Sequence, residues 1–135
     1  MPRLYKQLDD FEAIIRIFST DEGGRLTPPF NGIRWDFAYA DDDVPTTTGL
    51  YMIWPDFVDE AGDSLPTDQA LPIGVALQAR MTIVVDEMRS KLHRERISVG
   101  TQFYCHEGSK RVASGTVTKV TGLFGERSPS QRSMG

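Results

Sequence analysis

The sequence predicts an all-β fold, an antiparallel barrel or sandwich, and three observations lead to that prediction. Apolar and polar residues alternate over several short stretches, as they do where successive side chains face opposite sides of a sheet. Turn-forming residues separate these stretches, since the 135 residues include 12 glycines and 8 prolines. No stretch shows a convincing helical period. Some six short strands joined by glycine-rich turns are typical of a barrel or a sandwich.

The first two predicted strands lie in the N-terminal third of the chain. In Phe11 to Phe18 (FEAIIRIF) alternate residues project to opposite sides, and the second side is too apolar to be entirely solvated. Asp21 to Gly24 then supplies a turn, because paired glycines such as Gly23 and Gly24 accept positive φ values without a Cβ clash. After two more breaks, at Pro28-Pro29 and Asn31-Gly32, the alternation of Ile33 to Tyr39 predicts the second strand.

The middle of the chain is predicted to hold two strands and an acidic loop. Leu50 to Trp54 is an apolar run of strand length. Pro55 to Leu71 is acidic and broken by proline and glycine, so we expect an excursion without deep burial. Ile73 to Val85 is rich in β-branched residues and predicts a strand. In Asp86 to Arg96 the spacing of two apolar residues would suit one helical turn, but we favour a strand or an exposed hairpin.

The C-terminal part predicts a hairpin. Thr101 to His106 and Arg111 to Val120 are its strands, and Gly108 lies at the tip of the turn between them. Gly115, inside the last strand, indicates a bulge or a close backbone approach. Phe124 to Gly135 has low apolar content and is predicted to be a frayed tail.

Two separated blocks of the sequence resemble one known domain. FEAIIRIFSTDEGGRLTPPFNGIR, Phe11 to Arg34, resembles the opening of the C-terminal β-barrel (domain III) of bacterial translation elongation factor Tu. GTQFYCHEGSKRVASGTVTKV, Gly100 to Val120, resembles its closing hairpin. The resemblance covers about Phe11 to Gly122, weakly between residues 40 and 96, and implies a six-stranded antiparallel closed barrel. We therefore expect an N-terminal extension at 1–10, the barrel at 11–123 and a flexible tail at 124–135.

The departures from that family bear on function. The chain has no G-x-x-x-x-G-K-[ST] phosphate loop, so it resembles a stand-alone barrel without the GTPase domain. Trp35 and Asp36 replace the proline and glutamine that the family usually carries, and Ser109 replaces a glycine of the closing turn. The acidic excursion from Asp41 to Asp68 and the stretch 86–96 look like insertions into short loops. A free-standing barrel with altered loops indicates a repurposed domain.

Composition restricts the cellular compartment and the kinds of partner to expect for this chain. The net charge is −4, from 19 acidic against 15 basic residues, which excludes a generally basic nucleic-acid-binding surface but allows a local basic patch. Cys105 is the only cysteine, so no internal disulfide can form, as is typical of a reducing compartment. No run of 18 apolar residues is present. We expect a cytoplasmic protein without a membrane partner.

Seven basic residues are candidates for contacting a protein partner or RNA. The family's arginine that matches Arg25 lies on the face that meets the T-arm of aminoacyl-tRNA, whereas an ordinary turn arginine would pair with Asp21 or Glu22. The run from Arg89 to Arg96 could dock on phosphates, or its charges could simply be solvated. Lys110 and Arg111 at the closing turn would extend such a patch. The candidates are Arg25, Arg89, Lys91, Arg94, Arg96, Lys110 and Arg111.

Catalytic and metal chemistry are not expected. Cys105 and His106 are adjacent on a predicted strand, so their side chains point to opposite faces and cannot share a proton directly. The spacing of His93 to these two residues matches no usual zinc pattern, and the acidic segments lack the spacing of a calcium loop. We expect no metal, cofactor or nucleotide.

The acidic and aromatic residues of the central excursion have two interpretations. Asp41 to Asp43 and Asp56 to Asp68 are predicted to be solvated loops, though an acidic surface that mimics nucleic acid is also possible for such a composition. The aromatic residues there are either core residues or an exposed binding patch. These aromatic residues are Tyr51, Trp54 and Phe57, and the same two interpretations apply to Trp35 in the preceding strand.

The function expected from the sequence is binding. The first hypothesis is a non-catalytic module that recognises a protein through the barrel rim and the inserted loops, either in the translation machinery or as an antidote to a toxin. The alternative is RNA binding, of a tRNA-like kind, through a local basic patch.

Overall fold

The computed structural model describes residues 4–5, 8–42 and 49–126, and its six strands form a closed antiparallel barrel. The predicted fold class is therefore confirmed. Around the barrel the order is β1-β4-β3-β2-β5-β6, and β6 pairs with β1 to close it. The strands are β1 (Phe11–Ile17), β2 (Trp35–Tyr39), β3 (Tyr51–Val58), β4 (Ala76–Ile83), β5 (Gln102–Glu107) and β6 (Lys110–Val120).

The core is the interior of the barrel, filled by alternate residues of each strand. In β1 the apolar residues of one side are fully buried, while Glu12, Ile14 and Arg16 on the other side are half-buried. Four phenylalanines are fully buried there: Phe11, Phe37, Phe57 and Phe103. All but Phe57 meet one another edge to face or stacked, with ring centroids 4.7 to 6.1 Å apart, while Phe57 packs edge to face on Trp35.

Gly115 in β6 is a site of close approach. A Cβ on Gly115 would lie 2.3 Å from Cζ of Phe103, so the glycine leaves room for that ring. The two register shifts that mark bulges lie elsewhere, opposite Glu12/Ala13 and between Cys105 and His106. Of the two alternatives for this glycine, close approach is the one observed.

Strand β3 extends further than predicted, and this is a correction to the expected acidic excursion. Pro55, Asp56 and Phe57 are buried members of the strand. The N–H of Phe57 points away from β4 and binds the Asn31 side chain, so the nitrogen of Pro55, two residues earlier, faces the same way. Pairing with β2 has already ended at Ile53, and the missing N–H of Pro55 therefore removes no ladder bond.

The stretch 86–96 is helical, and the prediction of a strand or hairpin is wrong. It consists of an α-helical turn (Asp86–Met88), a π-helical turn (Arg89–His93) and a second α-helical turn (Arg94–Arg96). Arg89 and His93 are four residues apart, lie on one face and are both buried against the barrel. Two polar residues form this buried face, so hydrophobic periodicity does not reveal the helix. We call it the cap helix.

The barrel has two ends of different construction. At the capped end β1 begins, β4 and β6 finish, and the cap helix covers the opening. At the loop end β1 and β3 finish, the β5–β6 hairpin turns, and the loops 18–34 and 59–75 cover the opening. β1 connects the two ends across roughly 20 Å, at about 3.3 Å per residue.

The segments before β1 and after β6 meet at the capped end. The amide of Thr121 donates to the carbonyl of Asp10, and the amide of Gly122 donates to the carbonyl of Asp9, at 3.0 and 3.1 Å. Both aspartates are buried. Contacts continue to the carbonyl of Gly125, two residues past the expected domain boundary at 123. The rest of the expected tail, and Asp43, lie outside the described residues.

Candidate functional site

Arg89 is part of the fold and lies 3% exposed beneath the cap helix. Its Nε donates to Oδ1 of Asp10 at 2.6 Å, and Nη1 donates to Asp86 at 3.0 Å. Nη2 donates to carbonyls in the chain after β6, at 2.7 Å for both Gly122 and Gly125. A guanidinium with these partners has no edge left for a phosphate or a second protein. The interpretation of Arg89 as a binding residue is therefore not supported by its position.

The other arginines of the cap helix also have partners within the chain. Arg94 donates from Nε to the carbonyl of Leu123 at 2.8 Å. Arg96 donates to both Asp41 and Asp42 at 2.9 to 3.0 Å, and its guanidinium stacks 3.8 Å above the ring of Tyr39. The acidic segment predicted to be solvated thus contributes two carboxylates to the capped end.

Lys91 is the exposed cation of this group. It pairs with Glu87 one turn earlier on the same helix. Such an exposed pair adds little stability and can exchange its partner readily.

Arg25 lies at the loop end and pairs with a different acid from those expected. Its Nε is 2.7 Å from Oε2 of Glu107, the last residue of β5, rather than close to Asp21 or Glu22. The indole N–H of Trp35 donates to the same carboxylate at 2.9 Å. Glu22 instead binds Arg16 through two hydrogen bonds of 3.0 and 2.8 Å. Arg25 therefore joins its loop to the start of β2 and the end of β5.

Lys110 and Arg111 lie on the exposed strand that leaves the closing turn. Gly108 in that turn has φ +61°, a conformation that favours glycine. Arg111 stacks 4.2 Å above the ring of Tyr104, on the outer wall of the barrel. These residues and Arg25 share the loop end, whereas the basic residues of the cap helix occupy the capped end. The seven candidates thus form two groups at opposite ends and not one continuous patch.

The loop end also carries exposed apolar side chains. Leu26 is 84% exposed, and Phe30 and Val75 at the same end are exposed as well. We call these three residues the apolar rim. A cleft of about 200 Å³ lies beside Leu26, lined by Leu26, Pro28 and Ile73 among others. A cleft next to protruding apolar residues can receive a side chain from a second molecule.

Short-range hydrogen bonds position the loop that carries Leu26. A 3₁₀ turn (Thr20–Glu22) follows β1, and Ser19 caps it by exchanging hydrogen bonds with Glu22. Gly23 ends the turn with φ +91°, and Gly24 fits against the backbone, since a Cβ there would lie 2.4 Å from the carbonyl oxygen of Phe18. The two glycines are thus needed for different reasons.

Long-range contacts hold the second half of the loop end. The amide of Leu71 donates to the carbonyl of Pro29 at 2.8 Å, and Phe30 pairs with Ala70 in an isolated bridge. The buried side chain of Asn31 donates to the carbonyls of Phe57 and Leu65 at 3.1 and 3.0 Å. The backbone under the rim is therefore fixed, while the rim side chains project from it.

Asp56 anchors the loop that the sequence predicted to be solvated. Its carboxylate, 4% exposed, pairs with Nη2 of Arg80 at 2.9 Å and accepts from Ser64 at 2.8 Å. It also accepts the amide of Leu4 at 3.0 Å. Asp56 therefore has a structural role in the excursion.

The aromatic residues with two interpretations fall into two groups. Trp35 and Phe57 are core residues, while Tyr51 and Trp54 are half-buried.

Cys105 and His106 are both buried in β5. Burial raises the pKa of the Cys105 thiol, which disfavours the thiolate, and burial lowers the pKa of His106. Neither residue is placed to act as an exposed nucleophile or base. Among the described residues, no three histidine, cysteine or acidic side chains converge as a metal site would require.

Leu26 is not among the residues predicted from the sequence to contact a partner. A sequence pattern could have indicated it, because a leucine stands between a charged residue and a threonine in a turn bounded by Gly-Gly and Pro-Pro.

No family model matches the chain. None of the helices in the described ranges has the length and apolar character needed to cross a membrane.

Proposed function

We propose that this chain is a non-catalytic module that binds a protein partner through the apolar rim at the loop end of the barrel. The observation that carries the proposal is the exposure of Leu26 on a backbone that is held in place. Leu26 is 84% exposed, so a partner that covers its side chain buries apolar surface. Each Å² of apolar surface buried favours binding by about 25 cal/mol.

The surroundings of Leu26 match the general anatomy of a protein-binding site. Such sites have an apolar centre and a polar border, and an arginine or aromatic anchor close to the centre. Here Phe30 and Val75 supply further apolar surface, and Arg25 pairs with Glu107 beside the cleft. The chemistry favours a partner that inserts one apolar side chain into the cleft and covers the rim.

Kinship with the elongation factor barrel belongs to this proposal and rests on the two sequence blocks. Under it, the chain acts in the cytoplasm on a component of translation or on a toxin. RNA binding is the alternative outcome of the same experiment.

The test is capture of the partner by matched variants. Tagged wild-type protein, Leu26→Asp and Val99→Asp are each used to capture proteins and RNA from nuclease-treated and untreated halves of the native cell's lysate. Val99 is 67% exposed at the capped end, so it receives the same chemical change away from the rim. We expect a stoichiometric protein that is indifferent to nuclease and is bound at least about tenfold more weakly by Leu26→Asp alone.

Two results would overturn the proposal. Equal capture by both variants would show that the rim is not the binding surface. RNA that copurifies directly and disappears with nuclease would instead support the RNA alternative. Thermal unfolding of each variant provides the control, because all three proteins should unfold at the same temperature.

A further inference from the structure

Arg25 is the one charged residue among the described residues that line the cleft beside Leu26. The other lining residues are apolar or carry a hydroxyl group. The side chain of Arg25 is 27% exposed, so its guanidinium lies at the border between the cleft and solvent. A charged group in such a position contributes more to the choice of partner than to affinity. The hydrogen-bond donors that Arg25 has left therefore decide which partner fits.

Two nitrogens of the Arg25 guanidinium already have partners. Nε lies 2.7 Å from Oε2 of Glu107, and Nη1 donates to the carbonyl of Thr27 at 3.0 Å. Nη2 has no hydrogen-bond partner among the residues that the structure describes. A guanidinium has five N–H donors, and two of them are on Nη2. Arg25 thus keeps two donors for an acceptor on a second molecule.

Two cations share the carboxylate that Arg25 contacts. Glu107 also accepts the indole N–H of Trp35 at 2.9 Å. Lys110 lies directly opposite Glu107 in the β5–β6 pair, so it is a second cation beside the same carboxylate. The group formed by Arg25, Lys110 and Glu107 therefore carries one positive charge in excess, which is complementary to one carboxylate on a partner.

Acidic residues at the loop end disfavour a polyanion such as RNA. Asp21 and Glu22 lie in the same loop as Arg25, and the loop 59–75 covers the same opening. The acidic residues of that second loop are Asp59, Glu60, Asp63 and Asp68. A nucleic acid carries a phosphate on every nucleotide and would bring several of them close to these carboxylates. A single carboxylate on a protein segment avoids this repulsion.

We propose that the partner segment bound at the cleft carries an aspartate or glutamate within two residues of the apolar side chain that fills the cleft. The carboxylate accepts from Nη2 of Arg25, and the apolar side chain packs against Leu26. The spacing follows from size, since a volume of about 200 Å³ is roughly 6 Å across and an extended peptide advances about 3.3 Å per residue. Arg25 thereby sets the specificity of the site. This specificity rests on the proposed function, because it concerns the same cleft.

The test is a selection of short peptides. A phage library of random seven-residue peptides is selected on the wild-type protein, and peptides that also bind Leu26→Ser are discarded. Serine is uncharged, so this step removes the apolar contact without changing the charge. We expect the remaining peptides to combine an apolar residue with an aspartate or glutamate within two positions.

Matched variants assign the acid preference to Arg25. Selection on Arg25→Gln should retain the apolar residue of the peptides and lose the acid. Lys119→Gln removes the same charge at the exposed end of β6, at the capped end, and selection on it should retain both features.

Affinities of one selected peptide and its neutral counterpart measure the contact. The counterpart has asparagine or glutamine in place of the acid, so the two peptides have the same shape and differ in charge. We expect wild-type protein to bind the acidic peptide about 1.5- to 5-fold more tightly at low ionic strength, as measured by fluorescence polarisation. The preference should shrink in 1 M salt, where the screening length is about 3 Å, and should be absent in Arg25→Gln.

The outcomes separate this specificity from the proposed function. If no peptide distinguishes the wild type from Leu26→Ser, the apolar rim is not a binding surface and both proposals fail. If peptides depend on Leu26 but show no acid preference, or if Arg25→Gln keeps that preference, the role of Arg25 alone is wrong. Thermal unfolding of the variants is the control, because each substituted side chain is at least partly exposed and the fold should persist.

Discussion

The two ends of the barrel are covered in different ways. At the capped end a helix covers the opening, and its arginine Arg89 is buried with a carboxylate and backbone carbonyls as partners. At the loop end the arginine Arg25 is 27% exposed and its partner Glu107 is 35% exposed, beside the cleft that Leu26 lines. The same residue type thus anchors the fold at one end and borders a surface at the other.

This difference shows why composition alone is a poor guide to a binding residue. Arg25 and Arg89 were both candidates from the sequence, Arg25 because of the family resemblance and Arg89 because it lies in the basic run from Arg89 to Arg96. Burial separates them, because a charge removed from water must keep its partners to remain stable. Three experiments test this difference between the two ends.

The largest effect is expected from Arg89→Met. The change leaves the carboxylate of Asp10 buried without its guanidinium, and it removes donors from the carbonyls of Gly122 and Gly125. We expect a loss of about 3–5 kcal/mol in the free energy of unfolding, measured by urea denaturation.

Lys91→Met is the matched control for this change. It alters the exposed cation two residues away and should leave the urea midpoint unchanged. A wild-type midpoint for Arg89→Met would contradict the structural role of Arg89 and would return it to the set of candidate contact residues.

An intermediate effect is expected from acid, and it acts at the capped end. The pKa of His93 is about 4 in the folded protein because of burial and the nearby Arg96, against about 6.5 in the unfolded chain. The unfolded chain therefore binds more protons between these values. The contribution of His93 to stability is complete above about pH 6.5 and is lost as the pH falls toward 4, by at most about 3 kcal/mol.

Urea denaturation at several pH values tests this for the wild type and for His93→Gln. The variant should be less stable at pH 7, because the contact with Tyr39 is weakened, and its stability should fall less between pH 6.5 and 4. His106 and the carboxylates are common to both proteins, so the difference between the two slopes reports His93. Identical slopes would show that His93 titrates normally in the folded protein.

The smallest effect is expected from Arg25→Met, which makes the chemical change of the first experiment at the other end. The ion pair with Glu107 is partly exposed, and the indole of Trp35 continues to bind the same carboxylate. We expect a loss of no more than about 1 kcal/mol in the free energy of unfolding, by urea denaturation. If Arg25→Met and Arg89→Met destabilise equally, the contrast between the two ends is wrong.

Most strands could be predicted from the sequence, because their determinants are local, whereas these patterns allowed a barrel or a sandwich and only the resemblance implied the closed barrel. The alternation in β1 and the closing turn at Gly108 each depend on neighbouring residues, and the structure places a strand and a hairpin there. The end of β3 could not be predicted in this way. Pro55 normally indicates the end of a strand, and only the absence of a neighbour on its N–H side makes it acceptable there.

The cap helix could not be predicted from local sequence patterns. Arg89 is buried by a carboxylate 79 residues earlier in the chain, so its burial follows from tertiary contacts and not from its neighbours. The pairing of Arg25 with Glu107 is similar, because acidic residues much closer in sequence were available. For the proposed site, the sequence singled out Arg25 in this loop but not its exposed leucine, Leu26.

The hydrogen bonds between Asp9, Asp10 and the chain after β6 have a topological consequence. They bring the entry and exit of the barrel to one point, on the side away from the apolar rim. A short linker there could join the two, and the chain could be reopened at the Gly108–Ser109 turn to give a circular permutant. A label or support attached at that point would hold the molecule with its Leu26 surface facing outward.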